Sequence, residues 1–510
     1  MRLAILLILI LSQAGVLYGQ TSLKKIDLSY GKHSVGFFHY TKVDSTRTYQ
    51  IRNEYNNQFI YRPIPISIWY PADIKNGNSK QLTILDYLEV LKEEEEWENL
   101  PNEFLLDWFP YLWNTPQNRA HLSEKTQAYL DATKLNGKFP VIVYAPSYQA
   151  SSIENFALFE YLASKGFVII SSPSRGTDTR WLEGGTTKDM ETQSRDIEFL
   201  LKEVYRYQNI DTDNIALMGF SFGGLSNTIT VMKNQNIKAL ISLDGSERYR
   251  YNVLEKSPYF DLSRLNIPYA HFAQKEIPEI VLKEDKIPAE LNYQFQLYDS
   301  LTYSDIYSYK FHNLSHSHFS SYGVLFGNRD KRQDKSDSEI MTSYNQLSEY
   351  TLQFFNATLK KDQKAKVFIE KSPETYNSEE SVISKKMKKS ISSEFNHKNF
   401  IDLALKQDYQ NLIPLYKNTL VRYPNLELKE RMLNTLGLKL SFDPNRAEEG
   451  INVFLLALHI YPNSANLYDS LAEAYRYNND VKNATFNFKK SLELNPENQN
   501  AINKLKELKD

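Results

Sequence analysis

Apolar runs and amphipathic stretches alternate along the middle of the chain. Phe139-Pro-Val-Ile-Val-Tyr-Ala145 is almost wholly apolar, which predicts a strand buried on both faces. Asn155 to Lys165 predicts a helix ended by Gly166, and Phe167 to Ser172 a second strand. Ile197, Leu200, Leu201 and Val204 share one face of a helix predicted from Met190 to Tyr207. Further strands are predicted at Ile215 to Met218, Ala239 to Leu243, Ile267 to Phe272 and Tyr307 to Phe311, with a closing helix from Met341 to Leu359. Strands alternating with helices imply a mostly parallel sheet flanked by helices, with sites where strands end.

The flanks read differently. Ile64, Ile66 and Ile68 alternate within a proline-rich strand, and the prolines assign it to a sheet edge. From Leu82 to Leu130 the spacing of Leu85, Leu88 and Leu91 predicts helix, with Glu93 to Glu96 as a solvated face. The aromatic segment Phe104 to Trp113 fits either a cap over a site or a helix packed on the core. Residues 366–392 read as a polar linker containing Lys385, Lys386, Lys388 and Lys389.

Beyond the linker, residues 393–510 carry a 34-residue repeat of the tetratricopeptide kind. Its last unit holds Tyr468, Leu471, Ala472, Tyr475, Ala484, Phe488 and Pro496 at the expected places. The unit before it holds Leu433, Leu436, Gly437, Phe454, Ala457 and Pro462, and a degenerate one ends at Pro424. Such repeats present surfaces for protein partners, so a protein partner is expected for this region.

Composition narrows the function. A chain of 510 residues implies two or three domains, and a net charge of −2 argues against a nucleic-acid binder. The absence of cysteine removes thiolate nucleophiles and cysteine metal sites. Met1-Arg2 followed by the apolar run Leu3 to Leu11 resembles a signal peptide, expected over residues 1–19. With no other segment apolar enough to cross a bilayer, the mature chain is expected to be exported, periplasmic or secreted, without a membrane span.

Candidate chemistry centres on Met218-Gly-Phe-Ser-Phe-Gly-Gly224. Strand, G-x-S-x-G turn, then helix is the context of a nucleophile elbow, in which small residues flank Ser221 because the backbone doubles back tightly. A serine nucleophile needs a base and an acid to orient it, in the chain order Ser, Asp, His. Asp244 directly follows the strand after the elbow strand; Glu276, after the next strand, is the rival acid. His316 and His318 stand in a loop after the last strand, with His312 at that strand's end. One oxyanion donor is expected from the Phe222 N–H, the other from the loop after Ala145.

Trp69-Tyr-Pro-Ala72, Leu162-Ala-Ser-Lys-Gly-Phe167, the elbow, Leu243-Asp244 and His316-Ser-His-Phe-Ser320 together resemble the platelet-activating-factor acetylhydrolase branch of the α/β-hydrolases, which is related to dienelactone hydrolases. The resemblance covers roughly residues 60 to 360, within an α/β-hydrolase domain expected over 23–365. It implies Asp244 as acid, His316 as base and Tyr148 N–H as the second oxyanion donor. The family carries His-Gly where this chain has Pro146-Ser147. The expectation is a serine esterase acting on a small-molecule ester, with no cofactor and no metal. The rivals are an interaction scaffold whose hydrolase domain is idle, and an amidase or peptidase on the same fold.

Overall fold

The computed structural model describes residues 21–52, 57–74, 79–108, 112–327, 332–373, 382–390, 395–423 and 426–508. The signal-peptide segment and Pro424 lie outside them. The described residues fall into two compact units, divided between residues 391 and 392.

The first unit is built on twelve strands: β1 (Ser34–Arg52), β2 (Asn57–Asp73), β3 (Gln81–Thr83), β4 (Lys125–Leu130), β5 (Thr133–Lys134), β6 (Phe139–Ala145), β7 (Val168–Ser171), β8 (Ile210–Phe220), β9 (Ile237–Leu243), β10 (Tyr269–Ala273), β11 (Ile306–Phe311) and β12 (Ile383–Lys388). Their order is β12-β11-β10-β9-β8-β6-β7-β2-β1-β4-β3, with β5 beside β2. From β7 to β11 every neighbouring pair is parallel. The sheet is therefore mixed, with a parallel centre and antiparallel pairings toward its flanks.

Period-two alternation divides the central strands between two apolar layers. On β6, Ile142 and Tyr144 join the layer that holds the helices Phe156–Ser164 and Asp337–Thr358. Val141, Val143 and Ala145 join the opposite layer, with the helices Thr187–Glu203 and Phe222–Lys233. Because both faces are covered, these strands are apolar throughout, and that is why they were legible as continuous runs.

Four sequence expectations are corrected. The strand around Ile64 to Ile68 is internal, since β2 pairs with β1 on one side and with β7 on the other. Pairing with β7 involves only Ser67, Ile68 and Trp69, so Pro63 and Pro65 fall where β2 has β1 as its only partner. The helical reading of Leu82 to Leu130 ends early: Lys125–Leu130 is β4, parallel to β1, with Thr126 and Ala128 buried and Lys125, Gln127 and Leu130 exposed.

Of Glu93 to Glu96 only Glu93 is solvated, its side chain 49% exposed. Glu94 is 1% exposed and accepts from the Ser151 and Ser152 hydroxyls, Glu95 pairs with Arg180 at 2.5 Å, and Glu96 accepts from Tyr49 at 2.5 Å. The described residues within 366–392 do not form a linker. The helix Gln363–Lys371 leads to β12, which pairs antiparallel with β11 and completes the sheet edge. Lysines suit an edge strand because their long stems reach past it. Lys385 donates to the Glu370 carbonyl at 2.7 Å, and Lys389 bridges to Glu370 at 2.6 Å. In the segment Phe104 to Trp113, Leu105, Leu106 and Leu112 are buried in the first apolar layer, which is the core alternative.

Every described element of the second unit is a helix. Glu430–Ser441 packs on Ala447–Ile460, and Ala465–Tyr477 on Val481–Leu494, followed by Gln499–Glu507. Leu433, Phe454, Ala457, Leu471, Ala472, Ala484 and Phe488 are all buried. Gly437 is small for a reason: a Cβ there would sit 2.8 Å from the Phe454 ring.

Candidate active site

β8 runs into Ser221, and the helix Phe222–Lys233 starts at the next residue. The chain reverses so sharply that Ser221 has φ 53° and ψ −116°, a strained conformation for a side chain with a Cβ. Backbone bonds on both sides hold it there: Ser221 N–H donates to the Leu243 carbonyl at 3.0 Å, and Ser246 N–H donates to the Ser221 carbonyl at 2.8 Å. The elbow glycines are required by space. A Cβ on Gly219 would lie 2.5 Å from the Gly223 carbonyl, and one on Gly223 would lie 2.0 Å from the Ala145 oxygen.

Asp244 directly follows β9 and is completely buried. Its Oδ1 accepts from the Gln274 N–H at 3.0 Å and the Tyr249 hydroxyl at 3.3 Å. Its Oδ2 lies 2.5 Å from His316 Nδ1. Burial pushes the Asp244 carboxyl up, but the bond from His316, the imidazole's charge and the Gln274 N–H outweigh it and hold the group below its ordinary value.

His316 opens the 3-10 turn His316–Phe319 after β11, and its ring lies 5.0 Å from that of Phe220. Its Nε2 is 2.9 Å from Ser221 Oγ. A carboxylate only accepts, so Nδ1 carries the proton and Nε2 is left to accept from the serine hydroxyl. Ser221, His316 and Asp244 thus form one continuous hydrogen-bonded line.

The rival residues lie elsewhere. Glu276 is 3.8 Å from Lys310 and has a half-exposed side chain. His318 is buried, and its Nδ1 accepts from the Ser315 N–H at 3.1 Å. His312 Nε2 is 2.9 Å from Ser384 Oγ on β12. Tyr148 and Phe222 are brought together, their ring centroids 5.9 Å apart. Phe222 begins its helix, so its N–H has no acceptor one turn earlier. Gln274 and Tyr249, which fix the free oxygen of Asp244, were missed by sequence reasoning. Gln274 directly follows β10, and that strand-end position was the available signal.

Residues 154–267 match the model of the prolyl oligopeptidase family; this segment holds Ser221 and Asp244 but not His316 or Tyr148. No curated protein matches the chain. Among solved structures it is similar to a ferulic acid esterase from Streptomyces cinnamoneus, with a TM-score of 0.49 and 16% identity over 70% of this chain and 98% of that one. The family match over the segment that carries the elbow, taken with the sheet, supports a serine hydrolase of the α/β-hydrolase fold.

Proposed function

We propose that this protein is a serine esterase that cleaves a carboxylic ester through Ser221, His316 and Asp244. The observation that supports it is the aligned pair of contacts at His316, 2.9 Å to Ser221 Oγ and 2.5 Å to Asp244 Oδ2. His316 Nε2 takes the hydroxyl proton as Ser221 Oγ attacks the carbonyl carbon, and Asp244 stabilises the imidazolium. The Phe222 and Tyr148 N–H groups receive the oxyanion, a donor of this kind being worth about 10²–10³ in rate. The imidazolium then returns the proton to the leaving alcohol, and water repeats the sequence on the acyl-enzyme.

The resemblance to the platelet-activating-factor acetylhydrolase branch favours an ester. The match to the prolyl oligopeptidase family favours a second reading, an amidase or peptidase using the same residues. Comparing turnover of short p-nitrophenyl esters with the matching anilides separates them: the esterase reading expects ester turnover and little or no anilide turnover. Faster anilide cleavage would replace it with the second reading. The proposal includes export of the chain, and a tetratricopeptide-like role for the helical unit in holding a protein partner.

A further inference from the structure

The loop after β6 lacks the glycine that usually shapes an oxyanion hole, yet one of its peptide units is held at both polar ends. The carbonyl of Pro146 accepts from Gln193 Nε2 at 2.9 Å. The N–H of the same unit, from Ser147, donates to Glu154 Oε1 at 2.8 Å. The Ser147 hydroxyl donates to Glu154 Oε2 at 2.7 Å, and Tyr144, on β6, donates to Oε1 at 2.8 Å. Glu154 is 4% exposed and Gln193 2% exposed. Among the described residues no cation pairs with Glu154. A carboxylate buried without a counter-ion is costly unless donors satisfy it, and three donors converge on this one.

Pinning both ends of a peptide plane fixes its rotation, so that only the φ and ψ of Ser147 stand between it and the next N–H. That next N–H belongs to Tyr148. The following turn is also held, with Ala150 N–H bonded to the Ser147 carbonyl at 3.2 Å and Gln149 in the left-handed region at φ 56°. Resting on the esterase reading above, we propose that Glu154 is a positioning residue of the oxyanion hole, aiming the Tyr148 N–H through the Pro146–Ser147 peptide unit. In this chain a buried glutamate reached from the following helix end does what a glycine-rich loop does by conformational freedom.

The proposal separates from a general stabilising role because an oxyanion donor acts on the tetrahedral state and hardly on the bound ester. Glu154→Ala should lower kcat on p-nitrophenyl acetate by about 10²-fold with KM changed less than about 3-fold. It should weaken inhibition by an alkyl trifluoromethyl ketone, whose adduct with Ser221 carries the oxyanion, by a similar factor. Glu154→Gln keeps an acceptor oxygen for the Ser147 N–H and should restore kcat to within about tenfold of wild type. If Glu154→Ala does not fold, Glu154→Asp, one methylene short, should lower kcat and ketone affinity together by at least about tenfold.

Glu160→Gln serves as the stability control. That carboxyl is equally buried but accepts from Tyr87 and from the Gln127 and Ala128 N–H groups, away from the loop. It should shift the melting temperature without changing kcat or ketone affinity. Unchanged kcat in both Glu154→Ala and Glu154→Asp, or a loss in KM alone, would overturn the proposal. If wild-type protein neither binds the ketone nor turns over ester, the esterase reading itself fails, an outcome distinct from a wild-type-like Glu154 variant.

Discussion

Replacing Asp244 with Asn tests the acid most sharply, because the surroundings dictate how the amide must sit. Oδ1 receives the Gln274 N–H at 3.0 Å and the Tyr249 hydroxyl at 3.3 Å, so the amide oxygen has to take that place. The NH₂ group then faces His316 Nδ1, where Asp244 Oδ2 now stands at 2.5 Å. Two donors cannot share that contact. The imidazole is driven to the tautomer with its proton on Nε2, which faces Ser221 and can no longer accept. Loss of the correct tautomer in such a triad costs about 10⁴-fold in kcat, or about 5.5 kcal/mol. The assay is kcat for p-nitrophenyl acetate, with thermal unfolding to show that the variant folds. Glu276→Gln is the comparison and should stay within about twofold, since Glu276 is paired with Lys310. Asp244→Asn activity above about a tenth of wild type, or a crippling effect of Glu276→Gln, would rule out Asp244 as the acid.

Other consequences follow from the same contacts. His316→Ala should lower kcat by about 10⁴-fold or more, whereas His318→Ala, which loses the contacts to Ser315 and none to Ser221 or Asp244 that the triad uses, should act mainly on stability; steady-state kinetics of both checks this, and the reverse order would reject the base. Burial pushes the carboxyls of Glu154, Glu160 and Glu247 each up to about 7 against the donors that contact them. A folded-state value raised above the unfolded one means stability is fully present below about pH 4.3 and is lost as pH rises through 7, by up to about 4 kcal/mol per carboxyl. Asp244 acts in the opposite sense at lower pH, since its value is depressed. The melting temperature should therefore fall between about pH 4.3 and 7 and level off above it, and Glu160→Gln should flatten that slope; an unchanged slope would show that Glu160 titrates normally. Lys385 to Lys389, paired in the sheet edge, should resist limited proteolysis, and rapid cleavage there would contradict the pairing of β12 with β11.

Much of this was legible because it is local. The elbow needs only a strand, two close-set glycines and a helix start, all within a few residues of Ser221, and β6, β7 and the second half of β8 are apolar runs covered on both faces. β4 escaped notice because its alternation is brief and sits inside a leucine-rich stretch, and its partner β1 is about ninety residues away in sequence. Charge misled at Glu93 to Glu96 and at Lys385 to Lys389, where partners distant in the chain make burial tolerable. Asp244 and Glu276 each follow a strand, so periodicity could not rank them. What separates them is the path of the loop that carries His316 back over β9. Glu154 gave no signal, since its meaning depends on Ser147 and Tyr144 turning toward it.

The central claim is that Ser221 is the nucleophile. The direct measurement is labelling by a fluorophosphonate, which reacts only with an activated serine, alongside p-nitrophenyl acetate turnover, in wild type and Ser221→Ala. Wild type should be labelled, with the label on the peptide containing Ser221. Ser221→Ala should fold, stay unlabelled and have a kcat lower by about 10⁴-fold or more. A Ser221→Ala protein that still labels, or turns over ester within tenfold of wild type, would contradict that claim.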